Sequence, residues 1–136
     1  MIHNFNKAQI GPCSYTFSLG SIFKHQEDGK EVKEQQLPFT LPANGYVLAK
    51  TTERITIPKD LSAQFLPKST AWRMGLHILC GLGDPGYEGE VVFGIKNISN
   101  KSIELTSGMQ LLQMTLQKVQ GEIIPLQTAY LGGKVL

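Results

Sequence analysis

The chain has 136 residues, of which 41% are apolar and 18% charged, with a formal net charge of +2. That is globular material able to build one hydrophobic core, and it excludes a disordered chain. So slight a positive balance argues for neither nucleic acid nor an acidic membrane surface as partner, though it is compatible with a small anion.

No apolar run reaches the roughly 18 residues that a bilayer span needs. The start, Met1 to Cys13, is polar and has no apolar h-region, so a single domain over residues 1–136 in an intracellular protein is expected. The chain carries 14 Gly and 7 Pro over its whole length, between short runs rich in Val, Ile, Leu, Phe and Tyr. This is the pattern of many strands joined by turns. The first strand is expected over Ser14–Leu19. Gln26–Gln36 is charged and polar (Glu27, Asp28, Lys30, Glu31, Lys33, Glu34) and reads as a solvated excursion from a hairpin, with a helix as the lesser alternative. Pro42-Ala43-Asn44-Gly45 is a turn, followed by strands Gly45–Thr51, Glu53–Ile57 and Leu61–Leu66. Ser69–Met74 supplies one or two helical turns, and Gly75–Leu79 another strand. A longer turn, Gly81 to Gly86, leads to strand Gly89–Asn97. The turn Asn97–Lys101, strand Ser102–Leu105, turn Thr106–Gly108, strand Gln110–Leu116 and a weak strand near Ile123–Leu126 complete the pattern. No helix is long enough for a bundle and no repeat is visible, so the fold class expected is an all-β sandwich or jelly roll with one short helix.

Three constellations bear on chemistry. Cys13 and Cys80 make no disulfide framework and read as reduced, largely buried thiols. His77 and Cys80 are the nearest approach to a metal pair, but a structural zinc site needs four ligands, and on one strand these two point to opposite faces. The His-x-Glu and Pro-Cys-x-x-Cys pattern of zinc deaminases is absent. No Gly-x-Ser-x-Gly elbow surrounds Ser69, and His3, His25 and His77 have no triad-like context. Ser69 reads as the N-cap of a Thr70–Met74 turn, whose free N–H groups could face an anion. The third constellation is Gly81-Leu82-Gly83-Asp84-Pro85-Gly86-Tyr87-Glu88-Gly89. Its glycines, Gly81 among them, let backbone approach a flat ligand. Asp84 could orient a water or a sugar hydroxyl and Tyr87 could pack on a sugar. The same residues also suit a plain hairpin in which Asp84 caps the turn and Tyr87 packs locally, and composition leaves both readings open.

Four segments in order resemble the dUTPase/dCTP deaminase superfamily. They are Gln9-Ile10-Gly11-Pro12-Cys13-Ser14-Tyr15-Thr16-Phe17-Ser18-Leu19-Gly20, Lys68-Ser69-Thr70-Ala71-Trp72-Arg73-Met74-Gly75-Leu76, Asp84-Pro85-Gly86-Tyr87-Glu88-Gly89 and Gly108-Met109-Gln110-Leu111-Leu112-Gln113. The resemblance implies a dUTPase-like distorted jelly roll, a homotrimer with sites between subunits, and a pyrimidine deoxynucleoside triphosphate as partner, with Mg2+ bound mainly through its phosphates and no metal ligands assigned on the chain. Carried over, Asp84 would activate the attacking water. Ser69 would contact phosphate, and Lys68 would stand in for a phosphate-binding arginine, keeping the charge without the bidentate fork. Arg73 would match a second arginine, Tyr87 would stack on the deoxyribose, Gly81 would line the pocket, and Gln113 would reach phosphate or base across a subunit boundary.

The departures point away from deamination. The position ten residues after Asp84, where the resembled deaminases carry a glutamate as general base, is Gly94; no side chain means no base there. Thr16 replaces an aspartate of the metal and water shell. The segment Tyr130 to Leu136 has Gly132-Gly133 but not the Phe-containing arm that covers a triphosphate. The expected function is a divergent dUTPase-like protein hydrolysing dUTP to dUMP and pyrophosphate, the alternative a catalytically inactive nucleotide-binding or protein-interaction module.

Overall fold

The structure, a computed structural model, describes residues 1–136. Eleven strands, one short helix and one 3-10 turn follow in order: β1 (Ile2–His3), the 3-10 turn (Lys7–Gln9), β2 (Tyr15–His25), β3 (Val32–Gln35), β4 (Phe39–Leu41), β5 (Tyr46–Thr56), β6 (Leu61–Pro67), α1 (Ser69–Met74), β7 (Leu76–Leu79), β8 (Leu82–Gly83), β9 (Glu88–Asn97), β10 (Ile103–Leu105) and β11 (Gln110–Lys118). One curled sheet runs β7-β9-β5-β2-β11-β6-β8, with β1 against β5 and β3 against β2; β10 and β4 form a separate pair. This is the expected jelly-roll class. No helix is long and apolar enough to cross a membrane.

Alternation drives the curl. Along β5, Val47, Ala49, Thr51 and Glu53 turn inward, while Tyr46, Leu48 and Lys50 face outward. On β9, Val91, Phe93 and Ile95 join the same interior, which closes over Phe17, Leu19, Ile55, Leu105 and Leu112. Bulges between Leu19 and Ser21 and between Lys50 and Arg54 bend the long strands, so that one sheet wraps its own core.

Several expectations need correction. Gly45–Thr51 and Glu53–Ile57 are one strand, β5, because the Thr51–Glu53 kink is a bulge held by the Thr51 hydroxyl on Glu53 O (2.7 Å). The first strand continues to His25, and the charged excursion contains β3, paired with Ile22 to His25 through a turn at Asp28 and Gly29. Ile123–Leu126 forms no strand; Pro125 removes a donor and Ile124 is exposed. Ser69 is the first residue of α1 and not its cap: Lys68 occupies that position and makes no capping side-chain bond. Both cysteines are exposed residues, Cys13 in the loop before β2 and Cys80 just beyond the end of β7, although the Cys80 thiol is partly shielded where it donates to Phe65 O.

Candidate functional site

Asp84-Pro85-Gly86-Tyr87 folds as a type II turn: Tyr87 N donates to Asp84 O (3.1 Å), and Gly86 takes a φ of 87°, which Gly adopts without strain. Two further bonds tie it to the end of β5, Gly86 N to Ile57 O (2.9 Å) and Ile57 N to Tyr87 O (2.8 Å). The bend is therefore anchored at its backbone, and the Asp84 carboxylate remains exposed and outside every ion pair of the chain.

Beside the bend lies a mostly apolar cavity of about 430 Å3. Gly81, Leu82, Gly83 and Tyr87 form one wall; Leu48 and Val92 of the outer sheet face, with His25 and Tyr46, form another. It exists because β7 ends at Leu79 and pairs only with residues 94–97 of β9, which leaves the Glu88–Phe93 edge of β9 without a neighbouring strand on that side. The segment Tyr130 to Leu136 lies along this edge and completes the wall. Gly132 N donates to Glu88 O (2.7 Å), and the two backbones approach so closely that a Cβ on Gly89 would stand 2.5 Å from Gly133 N. Gly89 and Gly133 permit this approach, since a Cβ on Gly133 would stand 2.7 Å from Glu90 Oε2, and Gly132 and Gly133 both hold a positive φ.

Tyr87 is half-buried and its hydroxyl donates to Glu90 O (2.6 Å). Burial first, and then the Glu90 carboxylate, push its pKa up, against a smaller lowering by Arg54. Glu90 is held by Arg54 (3.1 Å) and Lys50 (3.8 Å), and Glu88 by Arg54 (3.9 Å). Both glutamates are thus engaged as ion-pair partners. Gly94 is filled from outside: a Cβ there would meet Tyr46 Cε2 at 3.0 Å and Tyr46 Oη at 3.1 Å.

The remaining residues picked out from the sequence gather elsewhere. Lys68 is half-buried at the head of α1, while Ser69 and Arg73 are exposed, the Arg73 guanidinium 4.8 Å from the centre of the Trp72 ring. Gln113 is taken up within the chain, its Nε2 donating to Pro67 O (3.1 Å) and its Oε1 accepting from the Ser14 hydroxyl (3.3 Å). None of these four, nor Asp84, forms part of the cavity wall that Gly81 and Tyr87 share. Thr16 is buried in β2, and its carbonyl accepts from Gln9. No three His, Cys, Asp or Glu side chains stand together as metal ligands.

Tyr46 and His25 were not singled out as site residues. No local pattern places either of them; their stacking follows from the β2–β5 pairing, which brings the end of β2 beside the start of β5.

A family model described as dCTP deaminase-like matches residues 1–119. The dCTP deaminase of Haloarcula marismortui is 33% identical over 118 residues, 85% of this chain and 59% of that protein. A dUMP-forming dCTP deaminase of Mycolicibacterium vanbaalenii is 37% identical over 121 residues, 88% of this chain and 60% of that protein. The chain spans about three fifths of the length of these relatives. In the solved dCTP deaminase of Agrobacterium tumefaciens the same fold recurs with a TM-score of 0.71 at 17% identity, over 84% of this chain and 42% of that one. The dUTPase of Staphylococcus bacteriophage 80alpha, solved with dUpNHpp, gives 0.62 at 14% identity, over 100% of this chain and 89% of that one.

Proposed function

The chain belongs to the dCTP deaminase-like family, and on that premise we propose that it binds a pyrimidine deoxynucleoside triphosphate and hydrolyses dUTP to dUMP and pyrophosphate. The observation that carries the reading is the Asp84–Tyr87 turn: a carboxylate held free of protein partners on a rigid bend, beside a cavity large enough for a nucleoside. Asp84 would orient a water and accept its proton as the water oxygen bonds to the α-phosphorus; the bond from that phosphorus to the bridging oxygen breaks and pyrophosphate leaves. Tyr87 would pack against the deoxyribose.

Lys68, Ser69 and Arg73 would neutralise phosphate charge. We assign them, on α1 and its N-cap, to the site of a neighbouring subunit in a homotrimer, with Gln113 at the same boundary. Mg2+ would arrive as the counter-ion of the triphosphate. Deamination of dCTP is not part of the reading, since Gly94 carries no base and Glu88 and Glu90 are tied to Arg54 and Lys50.

A second reading, binding without turnover, is favoured by one observation: Thr16, at the position expected to help order the metal and water shell, is buried in the sheet. Pyrophosphate release from dUTP with Mg2+, measured for the wild type and for Asp84→Asn, separates the two. Release lost in Asp84→Asn supports hydrolysis; nucleotide binding by calorimetry with no release from either protein supports the second reading. Ammonia release from dCTP would contradict both.

A further inference from the structure

Resting on the reading of the cavity as the nucleotide site, we propose that Tyr46 and His25 form the pair that reads the hydrogen-bonding edge of the pyrimidine, and so determine which base is accepted. The cavity wall is mostly apolar; of its polar side chains, Tyr87 and Cys80 are engaged within the chain, and Tyr130 and Lys134 come from the C-terminal segment with their side chains unpaired. The Tyr87 hydroxyl is bound to Glu90 O (2.6 Å), and the Cys80 thiol to Phe65 O (3.3 Å). Tyr46 and His25 differ: they stack on one another, ring centres 5.9 Å apart and planes 20° from parallel, and neither the hydroxyl nor the imidazole has a hydrogen-bond partner in the chain. A pocket that is apolar apart from a few fixed polar groups takes its specificity from those groups.

The backbone makes room for the arrangement. Gly94 lies across from Leu48 on the neighbouring strand, and the space a side chain would need there is taken by the Tyr46 ring, 3.0 Å from the Cβ position at Cε2 and 3.1 Å at the hydroxyl. A Cβ at residue 94 would make the Tyr46 ring give way slightly, with Leu79 Cβ 3.2 Å away on the other side. A triphosphate cannot be buried against Leu48 and Val92 without a heavy desolvation cost, whereas an uncharged ring can. The moiety that meets Tyr46 and His25 is therefore the base, and its exocyclic group and ring nitrogen are what a hydroxyl and an imidazole can distinguish.

The test is calorimetric binding of dUpNHpp, of the corresponding cytosine analogue and of tripolyphosphate to the full chain, comparing wild type with Tyr46→Phe and Gly94→Ala. Tyr46→Phe keeps the stacking and removes only the hydroxyl. It should weaken the preferred analogue by about 5- to 10-fold, the worth of one hydrogen bond, and narrow the ratio between bases while leaving tripolyphosphate unchanged. Gly94→Ala should shift the ratio in the same direction by displacing the ring. An unchanged ratio in Tyr46→Phe, a wild type that binds both bases equally, or an equal loss of tripolyphosphate overturns the inference and leaves the nucleotide site standing. Binding of no nucleotide by the wild type removes the site itself, and this inference with it.

Discussion

Glu53 is 2% exposed, and its carboxylate is the acceptor for three contacts: Ser18 N at 2.9 and 3.2 Å, and Gln9 Nε2 at 2.8 Å. It locks the Leu19–Ser21 bulge of β2 to β5 and ties the N-terminal segment, through Gln9, to the sheet. Hydrogen bonds to a charged group are worth about 1.5–3 kcal/mol each, and a buried donor left without a partner costs about as much. In Glu53→Ala the Ser18 N–H loses its acceptor, while Gln9 keeps Thr16 O and the Ser18 hydroxyl. Removal of the buried carboxylate also removes its own desolvation cost, so the net loss falls to about 3 kcal/mol. Over 136 residues, with about 2.1 cal/mol/K of unfolding entropy per residue, that lowers Tm by about 10 °C. Glu53→Gln should lose about half as much, because its amide keeps one acceptor but sets an NH2 against a donor. Scanning calorimetry at fixed protein concentration measures both. A drop of under about 3 °C in Glu53→Ala, or a larger loss in Glu53→Gln than in Glu53→Ala, would refute the reasoning.

Cys80 lies on the cavity wall and burial pushes its thiol pKa up, so alkylation by iodoacetamide at neutral pH should be slow and should accelerate above the usual thiol range. A bound nucleotide should protect Cys80 and not Cys13, which lies outside that cavity; equal protection of both would argue against the site. Tyr15 and Tyr87 both have raised pKa values, chiefly through burial. A raised pKa means that above about pH 10 the unfolded chain has lost protons the folded one retains. Their contribution to stability is therefore complete below that pH and falls as pH rises further. Urea midpoints should decline there, and less steeply in Tyr87→Phe; an identical decline would exclude the tyrosine as a cause. Gly133→Val places a side chain where Glu90 N stands 3.0 Å and Glu90 O 3.1 Å from the Cβ, at a φ of 79°, so the segment after Tyr130 should detach. Hydrogen exchange should show Gly132 to Leu136 unprotected while β2 and β5 are unchanged; retained protection would show that this contact does not hold the segment.

The architecture was largely legible from the chain. Short apolar runs between Gly, Pro and Asn turns marked most of the longer strands but not β1, β4 or β8, and Asp84-Pro85-Gly86-Tyr87 has the residues its turn type requires. The errors arose where tertiary pairing outweighs local pattern. β3 consists of Val32-Lys33-Glu34-Gln35, which looks solvated but pairs with the end of β2, because an edge strand needs only one partner. The break between Gly45–Thr51 and Glu53–Ile57 was a bulge, and a single charged residue inside a strand does not reveal whether it is buried with partners, as Glu53 is. Within the candidate site, Gly81 and Tyr87 meet in one cavity because they are near in sequence. The positions of Tyr46 and His25 depend on the β2–β5 register, and that of Gly133 on a docked segment; no local signal carries either.

The Glu88–Phe93 edge of β9 has a further consequence. An open strand edge offers donors and acceptors to any extended peptide, and exposed edges of this kind seed self-association. The Gly132–Gly133 crossing occupies one end of that template with main chain from the same molecule, and the half-buried, ion-paired Glu90 lies directly beneath it. The segment thus acts as a guard strand as well as a wall: shortened forms of the chain should have a greater tendency to join edge to edge, whatever becomes of their chemistry.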